Sequence, residues 1–170
     1  MKWLKEPHKD RESLYCHGKY NNEVQAHEGH GFSSWFGTVS LDPKGSMAMK
    51  GNRHPITEAG IFHTIELIKK DFELAKKHPE HGVKYTDITE TKVHGQPSLC
   101  VTAVQPKNPK LGYYAHKALI CIHKKLFLPT KIKIWDFTGR LVEIYTYRKY
   151  RLNVGLTDRD FDTGNKEYEF

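Results

Sequence analysis

The chain reads as an α+β fold in which one long amphipathic helix packs on an antiparallel sheet of many strands. Three observations carry this reading. Most of the chain consists of short runs rich in β-branched and aromatic residues, separated by Gly, Pro, Asn and Asp. A single segment, Thr57–Lys77, has helical periodicity. The 170 residues, 38% hydrophobic and 28% charged, suit one globular domain with its own core, so residues 1–170 are expected to form a single domain.

In chain order the expected strands are Lys2–Glu6, Glu12–His17, Glu23–His27, Trp35–Leu41 and Ser46–Lys50, followed by the helix. Five more follow it: Lys84–Val93, Ser98–Gln105, Tyr113–His123, Thr130–Trp135 and Leu141–Leu152. The connections have a chemical basis. Asp42-Pro43-Lys44-Gly45, His94-Gly95-Gln96-Pro97 and Asp136-Phe137-Thr138-Gly139 each supply Gly or Pro where φ must be unusual or fixed. In the helix, Ile61, Ile65, Ile68, Phe72 and Ala75 recur three and four apart, with charged residues between them. Thr57 is the expected N-cap, Lys76 and Lys77 suit the C-terminal dipole, and Pro79 and Gly82 stop the helix. The segment after Phe161 reads as an extended polar terminus.

Charge and motifs narrow the function classes. The net charge of +7 comes from 27 basic and 20 acidic residues, scattered as pairs and strand alternations rather than as a stripe, so no nucleic-acid partner is expected. None of the three cysteines, Cys16, Cys100 and Cys121, lies in a C-x-x-C pair, which removes zinc ribbons and thioredoxin-type chemistry. A Cys100–Cys121 bridge requires neighbouring strands, a point left open by the sequence. Two histidine pairs, His27 with His30 and His78 with His81, miss the i, i+4 spacing of a helical zinc site. Asp158, Asp160, Asp162 and Glu169 copy calcium-loop spacing, yet Thr163 stands where that loop needs Gly. No metal, cofactor or catalytic residue is therefore assigned. Arg53 and His54 precede the helix and form the most chemically loaded spot, a candidate anion site.

Two segments, Gly37–Gly60 (GTVSLDPKGSMAMKGNRHPITEAG) and Tyr147–Asp162 (YRKYRLNVGLTDRDFD), carry a family resemblance. On these motifs the chain resembles the bacterial domain-of-unknown-function family DUF1571, allied to LolA-type and LolB-type outer-membrane lipoprotein carriers. The resemblance runs from Lys2 to Phe170. It implies a strongly curved, unclosed antiparallel half-barrel wrapped around the helix, with an N-terminal helix and strand of the family pattern missing before Lys2. It also implies a periplasmic or cell-envelope location, although this chain shows no signal peptide and would be cytoplasmic if its start is genuine. The expected function is non-enzymatic binding of a hydrophobic small molecule or acyl chain, with membrane-surface association. The expected lining residues are Ile65, Phe72, Ile120, Ile122, Ile132 and Ile134. Two alternatives from other classes remain: an enzyme with a His/Asp site in the concave face, and a basic-surface interaction protein.

Overall fold

The computed structural model describes residues 1–6, 8–29, 35 and 37–170. It has mixed α+β architecture with open antiparallel sheets. The strands do not run as one meander. They form a three-stranded sheet, β1 (Glu12–Leu14), β2 (Val24–His27) and β3 (Val39–Leu41), and a five-stranded sheet. The second comprises β4 (Lys84–Val93), β5 (Gln96–Val104), β6 (Lys117–His123), β7 (Pro129–Trp135) and β8 (Leu141–Thr146) in sequential order. Two helices complete the elements used below: α1 (Ser46–Met49) and α2 (Ile61–Lys77). By compactness the chain divides into two units, Met1–Ala59 with Leu152–Phe170, and Gly60–Arg151.

In the first unit the terminal segment returns to the three-stranded sheet. Lys2 Nζ lies 3.1 Å from Glu12 and 2.5 Å from Glu169, while Glu12 accepts the Glu169 backbone N–H at 3.0 Å. Glu12 is buried, and the cation with the amide answers its charge. The tail aspartates are occupied by turn chemistry. Asp160 accepts from Thr157 in a capping box, Asp162 accepts from the Gly164 N–H, and Asp158 lies 3.7 Å from Lys19.

Several expected boundaries move. Lys2–Glu6 supplies only one bridge, Lys2 to Glu12, and the strand expected at Trp35–Leu41 is present at Val39–Leu41, with Phe36 outside the described residues. Ser46–Lys50, expected as a strand, is one helical turn, because Met47, Ala48 and Met49 favour helix once Gly45 has released the chain. The long helix begins at Ile61 rather than Thr57. Gly60 has φ 118°, which only glycine adopts readily, so helical geometry cannot run back to Thr57. Thr57 instead lies in a 3₁₀ turn, Ile56–Glu58.

In the second unit, alternation along β5 to β7 sets the core. Ala118 pairs with Ile134 and Ile120 with Ile132 across β6 and β7. Ala115, Ala118, Ile132 and Ile134 form a buried cluster joined by Ile68 of α2 and by Tyr114, Ile120, Val142, Tyr145 and Tyr147. β4 and β5 meet at a two-residue hairpin, His94-Gly95, both with positive φ, as the right-handed twist of paired strands favours. Edge strand β4 carries a bulge between Thr86 and Thr89 with Asp87 at φ 53°. Among the described residues no helix is long and apolar enough to cross a membrane.

Candidate functional site

Helix α2 meets the sheet along Thr64, Ile68 and Asp71, positions i, i+4 and i+7 on one face. Thr64 Oγ1 lies 3.2 Å from the Tyr147 hydroxyl, Ile68 enters the core cluster, and Asp71 Oδ1 accepts the Tyr114 backbone N–H at 3.0 Å. Burial raises the Asp71 carboxyl above its ordinary pKa, against the Tyr114 N–H and Lys70, which lower it. Beside it Glu143 accepts the Tyr114 hydroxyl at 2.6 Å and the Tyr145 hydroxyl at 2.9 Å. This underside of the helix is thus part apolar and part hydrogen-bonded.

The six residues expected to line an apolar cavity separate into two groups. Cross-strand pairing and the two-residue repeat put Ile120, Ile122, Ile132 and Ile134 on one sheet face, with a register shift at Ile122. Ile132 and Ile134 are sealed in the core cluster, and Ile120 packs against it. Ile65 and Phe72 point elsewhere: they are 36% and 52% exposed. Each follows a sheet-contacting residue by one position, a rotation of about 100° around the helix. The apolar repeat alone misplaces the contact stripe because two of its members, Thr64 and Asp71, are polar.

Ile65 and Phe72 instead belong to an exposed apolar flank that also includes Phe62, 78% exposed. On a 3.6-residue helix Phe62, Ile65 and Phe72 lie within about one quarter of the circumference. The Phe72 ring meets Tyr85 of β4 at 6.4 Å, and Ile88, within the bulge on the same strand, is also exposed. Phe62, Tyr85 and Ile88 were not singled out by sequence reasoning. The available signal was weak: aromatic and β-branched side chains on a long strand next to a helix.

Cys100 and Cys121 lie on the other face of the five-stranded sheet. Cys100 and Cys121 are direct partners in β5 and β6 and form a disulfide, while Cys16 is free. A shallow cavity of about 310 Å³ beside the bridge is lined by Val93, Leu119 and Lys131, among others. The histidine pairs fare differently. His30 lies outside the described residues. His78 and His81 stack, ring centroids 4.8 Å apart and planes at 13°. His78 Nδ1 is 2.9 Å from Glu80 Oε1, and His81 Nδ1 is 3.0 Å from the hydroxyl of buried Tyr113. Arg53 and His54 precede the 3₁₀ turn at Ile56 rather than α2 itself, and His54 Nδ1 lies 3.0 Å from Glu58.

The motif stretches Gly37–Gly60 and Tyr147–Asp162 build α1 and its flanking turns and the chain's return toward the C-terminal capping box. Comparison with family models then gives a match over residues 1–170 to the family described as "Protein of unknown function (DUF1571)". The chain belongs to this family. No curated protein and no solved structure matches it. For this DUF1571 chain the chemistry therefore rests on its own side chains, chiefly the apolar flank of α2 with β4 and the His78–Glu80–His81 turn.

Proposed function

We propose that this DUF1571 protein is a non-enzymatic cell-envelope binding module for a hydrophobic ligand, a lipid or a lipoprotein acyl chain. The ligand lies along the flank of α2, against Phe62, Ile65 and Phe72, and extends toward Tyr85 and Ile88 of β4. The finer fold reading that accompanies this is a LolA-like half-barrel, a curved open sheet holding a helix on one face. The open five-stranded sheet with Ile68 of α2 packed on one side supports it.

The observation that carries the proposal is the run of large apolar side chains left in water on neighbouring elements, with Phe72 and Tyr85 in ring contact. Contiguous apolar surface of this kind marks ligand or partner sites more often than idle surface. Removing it from water stabilises a complex by roughly 25 cal/mol per Å² before the costs of association. The Cys100–Cys121 bridge agrees with an oxidising compartment such as the periplasm, where disulfides persist. Lysines distributed over the surface agree with association at an anionic membrane face.

The test is mass spectrometry of apolar extracts from the oxidised protein purified without detergent. A long-chain lipid recovered in near-stoichiometric amount, and depleted in a Phe62→Lys/Phe72→Lys variant that folds, supports the assignment. Equal recovery from the variant, or no apolar compound together with no uptake of added fatty acid, rejects it.

A further inference from the structure

The turn that ends α2 gathers three metal-binding side chains. Pro79 fixes the backbone at the start of a 3₁₀ turn, Pro79–His81, and Gly82 closes it in the left-handed conformation. Residues three apart in 3₁₀ geometry eclipse one another, which explains why the His78 and His81 rings overlie. The i, i+4 spacing that His78 and His81 miss is a requirement of α-helical geometry. In this tighter turn a spacing of three brings the two imidazoles together.

We propose that His78, Glu80 and His81 form a binding site for a divalent late transition-metal ion of the zinc or copper class. One ligand atom from each lies within 4.8 Å of the other two. In a tetrahedral zinc site, bonds of about 2.0–2.1 Å put donors roughly 3.4 Å apart, so side-chain rotations close the set without a change of backbone. Two imidazoles and one carboxylate leave a fourth position for water, and imidazole nitrogen selects zinc, copper or nickel over magnesium and calcium.

The surroundings favour a cation. Glu80 Oε1 accepts from His78 Nδ1, which fixes the tautomer and leaves the His78 Nε2 lone pair and the second Glu80 oxygen as the donor atoms for the metal. The Tyr113 hydroxyl, 3.0 Å from His81 Nδ1, anchors the second ring. His78 is the C-cap of the 17-residue α2, where the free carbonyls place partial negative charge. Glu80 is held below the ordinary carboxylate range, first by a backbone hydrogen bond and then by His78, so it is anionic at neutral pH. Lys76 and Lys77 in the last helical turn oppose this and keep the affinity moderate.

The experiment titrates the EDTA-treated, oxidised protein with zinc by calorimetry and with cobalt by visible absorption. One saturable micromolar site per chain is expected, weakened about tenfold or more by His78→Gln, by His81→Ala and by Tyr113→Phe, and unchanged by His54→Ala. Should His81→Ala misfold by circular dichroism, the exposed-turn variants His78→Gln and Glu80→Gln carry the test. Absence of saturable zinc binding, or binding undiminished in a folded His78→Gln/Glu80→Gln double variant, overturns the proposal.

Discussion

Ser98 and Thr130 are wholly buried and their hydroxyl oxygens lie 2.9 Å apart. Ser98 Oγ also reaches the Gln96 carbonyl at 3.0 Å and Thr130 Oγ1 reaches the Cys121 carbonyl at 3.2 Å. Two hydroxyl protons therefore serve three contacts, and the pair acts as a unit tying β5 to β7 across β6. Thr130→Val keeps the shape but removes a proton and an acceptor. It should cost about 1–3 kcal/mol by urea unfolding, and adding Ser98→Ala should cost less than the sum of the single changes. Additive costs would show that the hydroxyls are independent. Asp71 gives a pH prediction. Its pKa is raised in the folded chain above the ordinary 3.8, so between those two values the folded state holds a proton that the unfolded state has lost. Stability from this group is fully present below 3.8 and falls as pH rises through the folded pKa. Relative to Asp71→Asn, wild type should lose ground as pH climbs through that window and hold level above it. A pH-independent difference between the two proteins would remove Asp71 as the responsible group.

At the scale of elements, the sequence makes the five-stranded sheet readable because β5 to β8 are short runs rich in β-branched and aromatic residues, with clear alternation in β7, punctuated by His94-Gly95 and Asp136–Gly139. The first of these connects β4 and β5 with two positive-φ residues, and Asp136 accepts from both Thr138 and Arg140 across the second. Short elements were not readable in the same way. Met-Ala-Met fits a strand or a helix, and only the geometry after Gly45 decides. The contact face of α2 was hidden by Thr64 and Asp71, whose polar side chains bond to the sheet where a periodicity argument looks for apolar residues. The consequence is measurable. Ile132→Ala should destabilise by about 2–5 kcal/mol, whereas Phe72→Ala should cost about 1 kcal/mol or less. A large loss at Phe72 would place that ring in the core, contrary to its exposure. The disulfide joins residues 21 apart in sequence. In the chain-entropy account, closing such a loop is worth about 3 kcal/mol, so dithiothreitol should lower the unfolding free energy by a comparable amount and shift the midpoint downward. A midpoint insensitive to reductant would mean that the bridge adds nothing to stability.

At the scale of the molecule, the family was legible from two motif stretches, and the match over residues 1–170 bears that out. The division into two sheets and two compact units was not legible, since alternating strands carry no label for the sheet they join. Nor was the apolar flank: whether Phe62, Phe72 and Tyr85 face a core or water depends on where α2 settles, which the polar contacts decide. The ligand proposal depends on that flank, because Ile132 and Ile134 are already sealed and a charge placed there would test folding rather than binding. Charges at exposed positions avoid this difficulty. The most direct measurement is a fluorescence titration of delipidated, oxidised protein with a fluorescent fatty acid, comparing wild type with Ile65→Lys/Phe72→Lys. Saturable binding in wild type that is lost in a variant with unchanged circular dichroism and melting is the predicted result. No saturable binding in wild type, or equal binding in the folded variant, would contradict a hydrophobic-ligand site on the α2 flank.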